Sequence, residues 1–266
     1  MTPIGPEHEQ PQARGADESD AVTIAFADPE VGVYGLARTS LSADDASGMG
    51  ILFSGSEVVA VRAEGVSLEV LEPLARWKAS FAGAFELEAE ALSPPAEVVV
   101  GDTQGYEQLV RVRGTATIGG APRTIDGLGQ RGHSWGRVDW SKLELARTVT
   151  AWLDDRTAAT VSAIRPKSAK HHSDESVAAH LVLDGRPVPV ADPRLSTTYD
   201  GDGRQVHAGL ELWVEDGEGE YPHRGAGEVV CGTTVDLGTL RLDCAFFRWH
   251  MDGRTGAGRY DIVRRA

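Results

Sequence analysis

The chain has 266 residues, 41% hydrophobic and 25% charged, which supplies a core for one large domain or two smaller ones. Its 40 acidic and 26 basic residues leave a net charge of −14, which argues against nucleic acid and anionic membrane surfaces, since these require basic patches. No apolar run approaches the ~20 residues of a membrane-spanning helix, so no transmembrane segment is expected.

Residues 1–20 are polar and rich in Pro, Glu, Gln, Gly and Asp. They lack the apolar stretch of a secretory signal and read as a disordered leader. Order is expected from residue 21. Residues 22–26, 31–41, 50–54 and 57–62 read as strands, separated by turns at 28–30 and 44–48. Residues 68–72 alternate apolar and acidic side chains, the mark of a half-buried strand. Over 79–91, Phe81, Phe85 and Leu87 share one parity, which predicts a single strand. Ser93-Pro94-Pro95 breaks the chain before a short strand at 98–100. Residues 105–118 alternate well, Gly119-Gly120 is a hairpin dipeptide, and 123–126 is the return strand.

The middle of the sequence is crowded. Residues 127–140 hold Arg131, His133, Ser134, Trp135, Arg137, Asp139 and Trp140 among several glycines. This stretch reads as the seam between two halves and as the floor of a site. Beyond it, 145–153 and 158–164 form a hairpin, and 166–176 is a polar loop with His171-His172. Strands follow at 178–183, 188–191 and 205–214, with turns at 200–203 and 216–219. The last third holds strands at 227–233 and 239–250, then a Gly-rich end at 252–258. Cys231 and Cys244 have no CxxC spacing and read as buried strand residues, a lone disulfide being the lesser option; a reducing, cytoplasmic compartment fits by default. Many short strands with Gly/Asp turns define an all-β fold. Their number on each side of the centre favours two tandem β-domains, 21–130 and 131–266.

Within the central stretch, His133 is the natural acid/base near neutral pH. Asp139 is a second candidate acid, expected to be buried beside Trp135 and Trp140 with a raised pKa. Tyr106 and Glu107 are neighbours on one strand, so only one can face inward. Glu107 inside would be a proton donor; Tyr106 inside would be a pocket wall or phenolic donor. Arg131 and Arg137 could bind a substrate oxygen, or pair with Asp126, Asp139 or Glu107. Trp135, Trp140, Trp152, Trp213 and Trp249 suit an apolar pocket that steadies a cation. No metal motif and no dinucleotide fingerprint is present.

The islands Gly105-Tyr106-Glu107-Gln108, Asp126-Gly127-Leu128-Gly129, Arg131-Gly132-His133-Ser134-Trp135-Gly136 and Asp139-Trp140 resemble the lipocalin-like superfamily of bacterial carotenoid hydratases (hydroxyneurosporene synthases) and AttH-type proteins. Residues 249–258 look like its closing segment. The resemblance implies two tandem lipocalin-like antiparallel β-barrel domains and a hydrophobic, isoprenoid-like or other natural-product small molecule as substrate. It implies a cofactor-independent hydratase or cyclase that protonates an alkene. A pericyclase or a non-catalytic carrier of a hydrophobic ligand are the alternatives. One departure stands out: where the superfamily has Asp between Arg and His, this chain has Gly132.

Overall fold

A computed structural model describes residues 3–12, 18–42, 46–137, 139–171, 174–215 and 219–266. Apart from one short 3-10 turn at Pro6–Glu9, its regular elements are strands. The chain divides into two compact units, Met1–Val138 and Asp139–Ala266.

The first unit contains β1 (Glu18–Asp28), β2 (Val33–Ser42), β3 (Ala46–Ser54), β4 (Glu57–Arg62), β5 (Val66–Glu72), β6 (Arg76–Phe81), β7 (Phe85–Ala91), β8 (Ala96–Val100), β9 (Thr103–Ile118) and β10 (Ala121–Arg137). They form one antiparallel sheet in the order β4-β3-β2-β1-β10-β9-β7-β6-β5, with β8 also on β9. The first and last strands are central neighbours, and the two edge strands are consecutive in the chain. That order suits a curled meander, and β5 lies back against β2 and β3. The enclosed face buries Ile24, Phe26, Leu52, Phe81, Phe85 and Val112, among others.

The second unit contains β11 (Leu143–Asp154), β12 (Thr157–Pro166), β13 (Ser176–Leu183), β14 (Arg186–Pro189), β15 (Asp192–Tyr199), β16 (Gln205–Glu215), β17 (Glu220–Asp236), β18 (Leu240–Met251) and β19 (Arg254–Arg265). Its order is β14-β13-β12-β11-β19-β18-β17-β16-β15. Apart from β8, this is the order of the first sheet. Its core holds Val149, Val161, Leu212, Phe247, Trp249 and Ile262. The all-β expectation therefore holds: two antiparallel, strongly curled lipocalin-like half-barrels stand in tandem.

Glycine makes the central pairing of each unit tight. A Cβ on Gly129 would collide with the Ala25 carbonyl, and one on Gly258 with the Thr150 carbonyl. Strands β10 and β19 thus approach β1 and β11 more closely than side-chain-bearing residues allow.

Several expectations change. Residues 127–137, expected as a seam between the halves, belong to β10 of the first unit, which pairs with β1 on one edge and β9 on the other. The units meet after Val138, so the boundary falls later than the one expected after residue 130. Residues 79–91 are two strands, because Gly83, at φ 72°, turns the chain between them. Phe81 and Phe85 share a parity because they face each other across that turn. The Gly-rich end continues as β19, and β15 was not foreseen. The expected turn at 44–48 falls partly on residues 43–45, and that at 216–219 mostly on 216–218; both sets lie outside the described residues. The segment expected to be a disordered leader contributes a buried residue, Glu9.

Candidate functional site

Alternation along three adjacent strands assembles a polar cluster inside the first sheet. Gly129, Arg131, His133 and Trp135 share one parity of β10. Across from them on β9 lie Tyr106 and Gln108, and on β1 lie Asp20, Val22 and Ile24. The same inward rows are apolar at their other end, where they feed the core. Chemistry and packing therefore use one face of one sheet.

Arg131 is the centre of the cluster, and its side chain is fully buried. Its guanidinium lies 4.6 Å from the Tyr106 ring centroid and 5.3 Å from that of Trp77, close enough for cation–π attraction in a desolvated place. Its counter-ion is Glu9: Nη2 donates to Oε2 at 2.5 Å. Glu9 Oε1 also accepts from Trp77 Nε1 at 3.1 Å and from the Leu74 amide at 2.9 Å. Leu74 adopts φ 59°, an uncommon conformation for a residue with a Cβ. Gln108 Nε2 donates to the Leu74 and Ser93 carbonyls, which ties that turn to the barrel wall.

Beside this ion pair sits His133. Its Nε2 lies 2.8 Å from Asp20 Oδ1, and the Gln12 amide donates to Asp20 Oδ2 at 2.6 Å. A carboxylate only accepts, so the Nε2 that faces Asp20 is the nitrogen that carries a hydrogen. Among the described residues, His133 Nδ1 and Arg131 Nε and Nη1 have no hydrogen-bond partner, and the Tyr106 hydroxyl lies within reach of Arg131 and Glu9. Burial drives the Tyr106 pKa well above 10.0, an effect that the nearby Arg131 charge opposes. Trp135 packs edge-on to His133, and His8 stacks on Trp135 with centroids 5.8 Å apart. An imidazole oriented by a carboxylate thus stands near three buried donors, an arrangement that suits proton transfer next to a polarised oxygen.

The structure brings together His133, Arg131, Tyr106 and Trp135 from the expected set. It places the others elsewhere. Glu107 faces away from Tyr106, across from Gly132 on the outer side of β9 and β10. A side chain at position 132 would lie on the same side as Glu107. Asp139 lies exposed in the turn after β10, where its expected burial does not occur. It takes hydrogen bonds from Lys142 and Ser141, which lower its pKa to about 2 rather than raising it. Asp126 pairs with Arg111 and Arg113 instead of Arg131. Arg137 is exposed at the end of β10. Trp140, Trp152, Trp213 and Trp249 belong to the second unit. There Trp140 is exposed, Trp152 and Trp249 are buried, and Trp213 bonds Glu211 on its strand's outer face.

Sequence reasoning missed Glu9, Asp20, Trp77 and Gln108. Asp20 shares the parity of Val22, Ile24 and Phe26, a signal that places it inward. Gln108 shares the parity of Tyr106 and Val110 in the same way.

The second unit also has buried polar groups. Arg147 Nη2 donates to both Glu175 oxygens at 2.6 Å, and Tyr260 shares a 2.5 Å hydrogen bond with Thr197. Burial raises the Tyr260 pKa to about 12. A cavity of about 230 Å³ includes Gln205, Cys231, Asp243 and Cys244 in its lining. Both cysteines are free and buried, and burial raises their thiol pKa values, that of Cys231 to about 12. Among the described residues, no group of three His, Cys, Asp or Glu side chains could hold a metal, and no helix is long and apolar enough to cross a membrane.

The fold is that of two tandem, lipocalin-like half-barrels. Three solved structures share it. CghA, solved with Sch210972, is 12% identical over 94% of this chain and 89% of its own, with a TM-score of 0.64. A protein assigned as an AttH from Nitrosomonas europaea is 13% identical over 98% of each chain, with a TM-score of 0.65. Kievitone hydratase from Nectria haematococca is 11% identical over 98% of this chain and 93% of its own, with a TM-score of 0.58. The chain belongs to the DUF7064 family, described as a domain of unknown function, whose model matches residues 51–265 across both units. No curated protein matches it.

Proposed function

We propose that the protein is an acid/base enzyme that adds water to, or cyclises, a hydrophobic small molecule bearing a conjugated oxygen. The observation that carries this is the buried His133–Asp20 pair, whose unbonded Nδ1 lies in the same cluster as the Tyr106 hydroxyl and Arg131. Arg131 and Tyr106 donate to the substrate oxygen and hold the negative charge that develops on it. In the hydration, His133 Nδ1 takes a proton from water while the hydroxyl bonds to the alkene carbon. The displaced electron pair moves to the held oxygen. The imidazolium, steadied by Asp20, then returns the proton to the neighbouring carbon as the carbonyl re-forms. In a cyclisation, an internal nucleophile takes the place of water. Kievitone hydratase, an enzyme by its name, shares the fold, and this supports an enzymatic use of the barrel. Glu107 and Asp139 stand outside this constellation.

The test compares metabolites of a host lacking the gene with those of the same host carrying wild type, His133→Gln or Asp20→Asn. Wild type restores a hydrophobic product. Each variant, checked for fold by circular dichroism, lowers it about 100-fold or more, the usual loss when a general base is removed. Undiminished product in both variants would sink the assignment.

A further inference from the structure

We infer that the Arg131–Trp77–Leu74 cradle is a carboxylate-binding site which Glu9 fills from within the chain, and that its outside ligand is a hydrophobic acid. The inference rests on the reading of the first barrel's interior as the ligand site, and it names the ligand's class.

The donors come from the barrel itself. Arg131 stands on β10, Trp77 on β6, and the Leu74 amide in the turn between β5 and β6. That amide is aimed by a left-handed residue whose carbonyl Gln108 holds. Such strain persists only where surrounding structure enforces it, and it concentrates at ligand clamps. Glu9, by contrast, arrives on a four-residue 3-10 turn outside the sheet.

The cradle also has more donors than Glu9 uses. Glu9 takes one Arg131 nitrogen, while Nε and Nη1 have no hydrogen-bond partner among the described residues. A carboxylate with a neighbouring carbonyl or hydroxyl oxygen would use the whole set, since a guanidinium fork matches two oxygens better than one. The aromatic faces of Trp77, Tyr106 and Trp135 suit an apolar body attached to that head. The segment carrying Glu9 also stacks His8 on Trp135 and bonds Asp20 through Gln12. A ligand acid that displaces Glu9 therefore uncovers the His133–Asp20 pair in the same event.

The experiment titrates full-length protein with 4-phenylbutyrate and with its uncharged analogue 4-phenylbutanol, by calorimetry. Glu9→Ala is expected to bind the acid at least about tenfold more tightly than wild type, a gain set by removing an internal competitor, with alcohol binding unchanged. Adding Arg131→Met removes the gain. If Glu9→Ala purifies unfolded, 4-phenylbutyrate restores its melting transition, whereas sodium chloride and 4-phenylbutanol do not. Equal binding of acid by wild type and Glu9→Ala, or restoration by the alcohol or the salt, overturns the inference. Because binding is read without turnover, failure here leaves the metabolite result standing, and the reverse holds as well.

Discussion

An Arg131→Met variant unfolds its first unit about 3–5 kcal/mol more readily than wild type in urea, the usual cost of breaking a buried ion pair from one side. Methionine fills the volume of the arginine stem. It leaves the Glu9 carboxylate desolvated, with neutral donors such as the Trp77 and Leu74 N–H groups to face its charge. Glu9→Ala costs a similar amount for the opposite reason, since the guanidinium is then buried without an anion. The double variant Glu9→Gln/Arg131→Met recovers most of the loss. Its amide oxygen still accepts from Trp77 and Leu74, and no charge remains to be desolvated. The double-mutant cycle thus separates the pair's coupling from the cost of the orphaned partner. A loss below about 1 kcal/mol in Arg131→Met would mean that the charge reaches water on unfolding no more easily than in the fold, contrary to its complete burial.

The same ion pair shows what a sequence can and cannot disclose here. The all-β class was legible because turn residues punctuate short alternating runs. Gly119 and Gly120, at φ 58° and 81°, make the hairpin their dipeptide announces. The motif from Gly127 to Gly136 was harder. Its glycines look like loop, yet Gly129 is required by the approach of β10 to the Ala25 carbonyl, and that partner lies about a hundred residues away in the chain. Strand parity in β9 and β10 does sort Tyr106 inward and Glu107 outward once register is known. Before that, the alternation allows either. The tryptophans misled because an indole looks alike in a pocket and a core; four of the five singled out lie in the second unit. Glu9 had no local signal at all. A lone acid in a polar segment reads as solvated, and its burial depends on donors that the fold gathers from residues 74, 77 and 131. Long-range satisfaction of polar groups is what composition and periodicity leave out.

In the second unit, His180 carries the largest expected pH effect. It is buried on β13, on the face opposite Leu181, and burial lowers its pKa from 6.5 to about 4. In the fold the ring stays neutral, while the unfolded chain takes up a proton near pH 6.5. Between those values the unfolded state binds more protons, so stability must rise with pH. The contribution is complete above pH 6.5 and is lost progressively as the pH falls towards 4. A depression of this size corresponds to about 3 kcal/mol. Wild type therefore loses most of that amount in its second unit between pH 7.5 and 4.5, over and above what its carboxylates contribute. His180→Leu removes this part alone, because the unfolded leucine has no proton to gain. Urea unfolding of both proteins at the two pH values reads the difference. The wild-type curve should shift further than the variant's by about 2–3 kcal/mol, whereas parallel shifts would mean that His180 reaches water in the folded state.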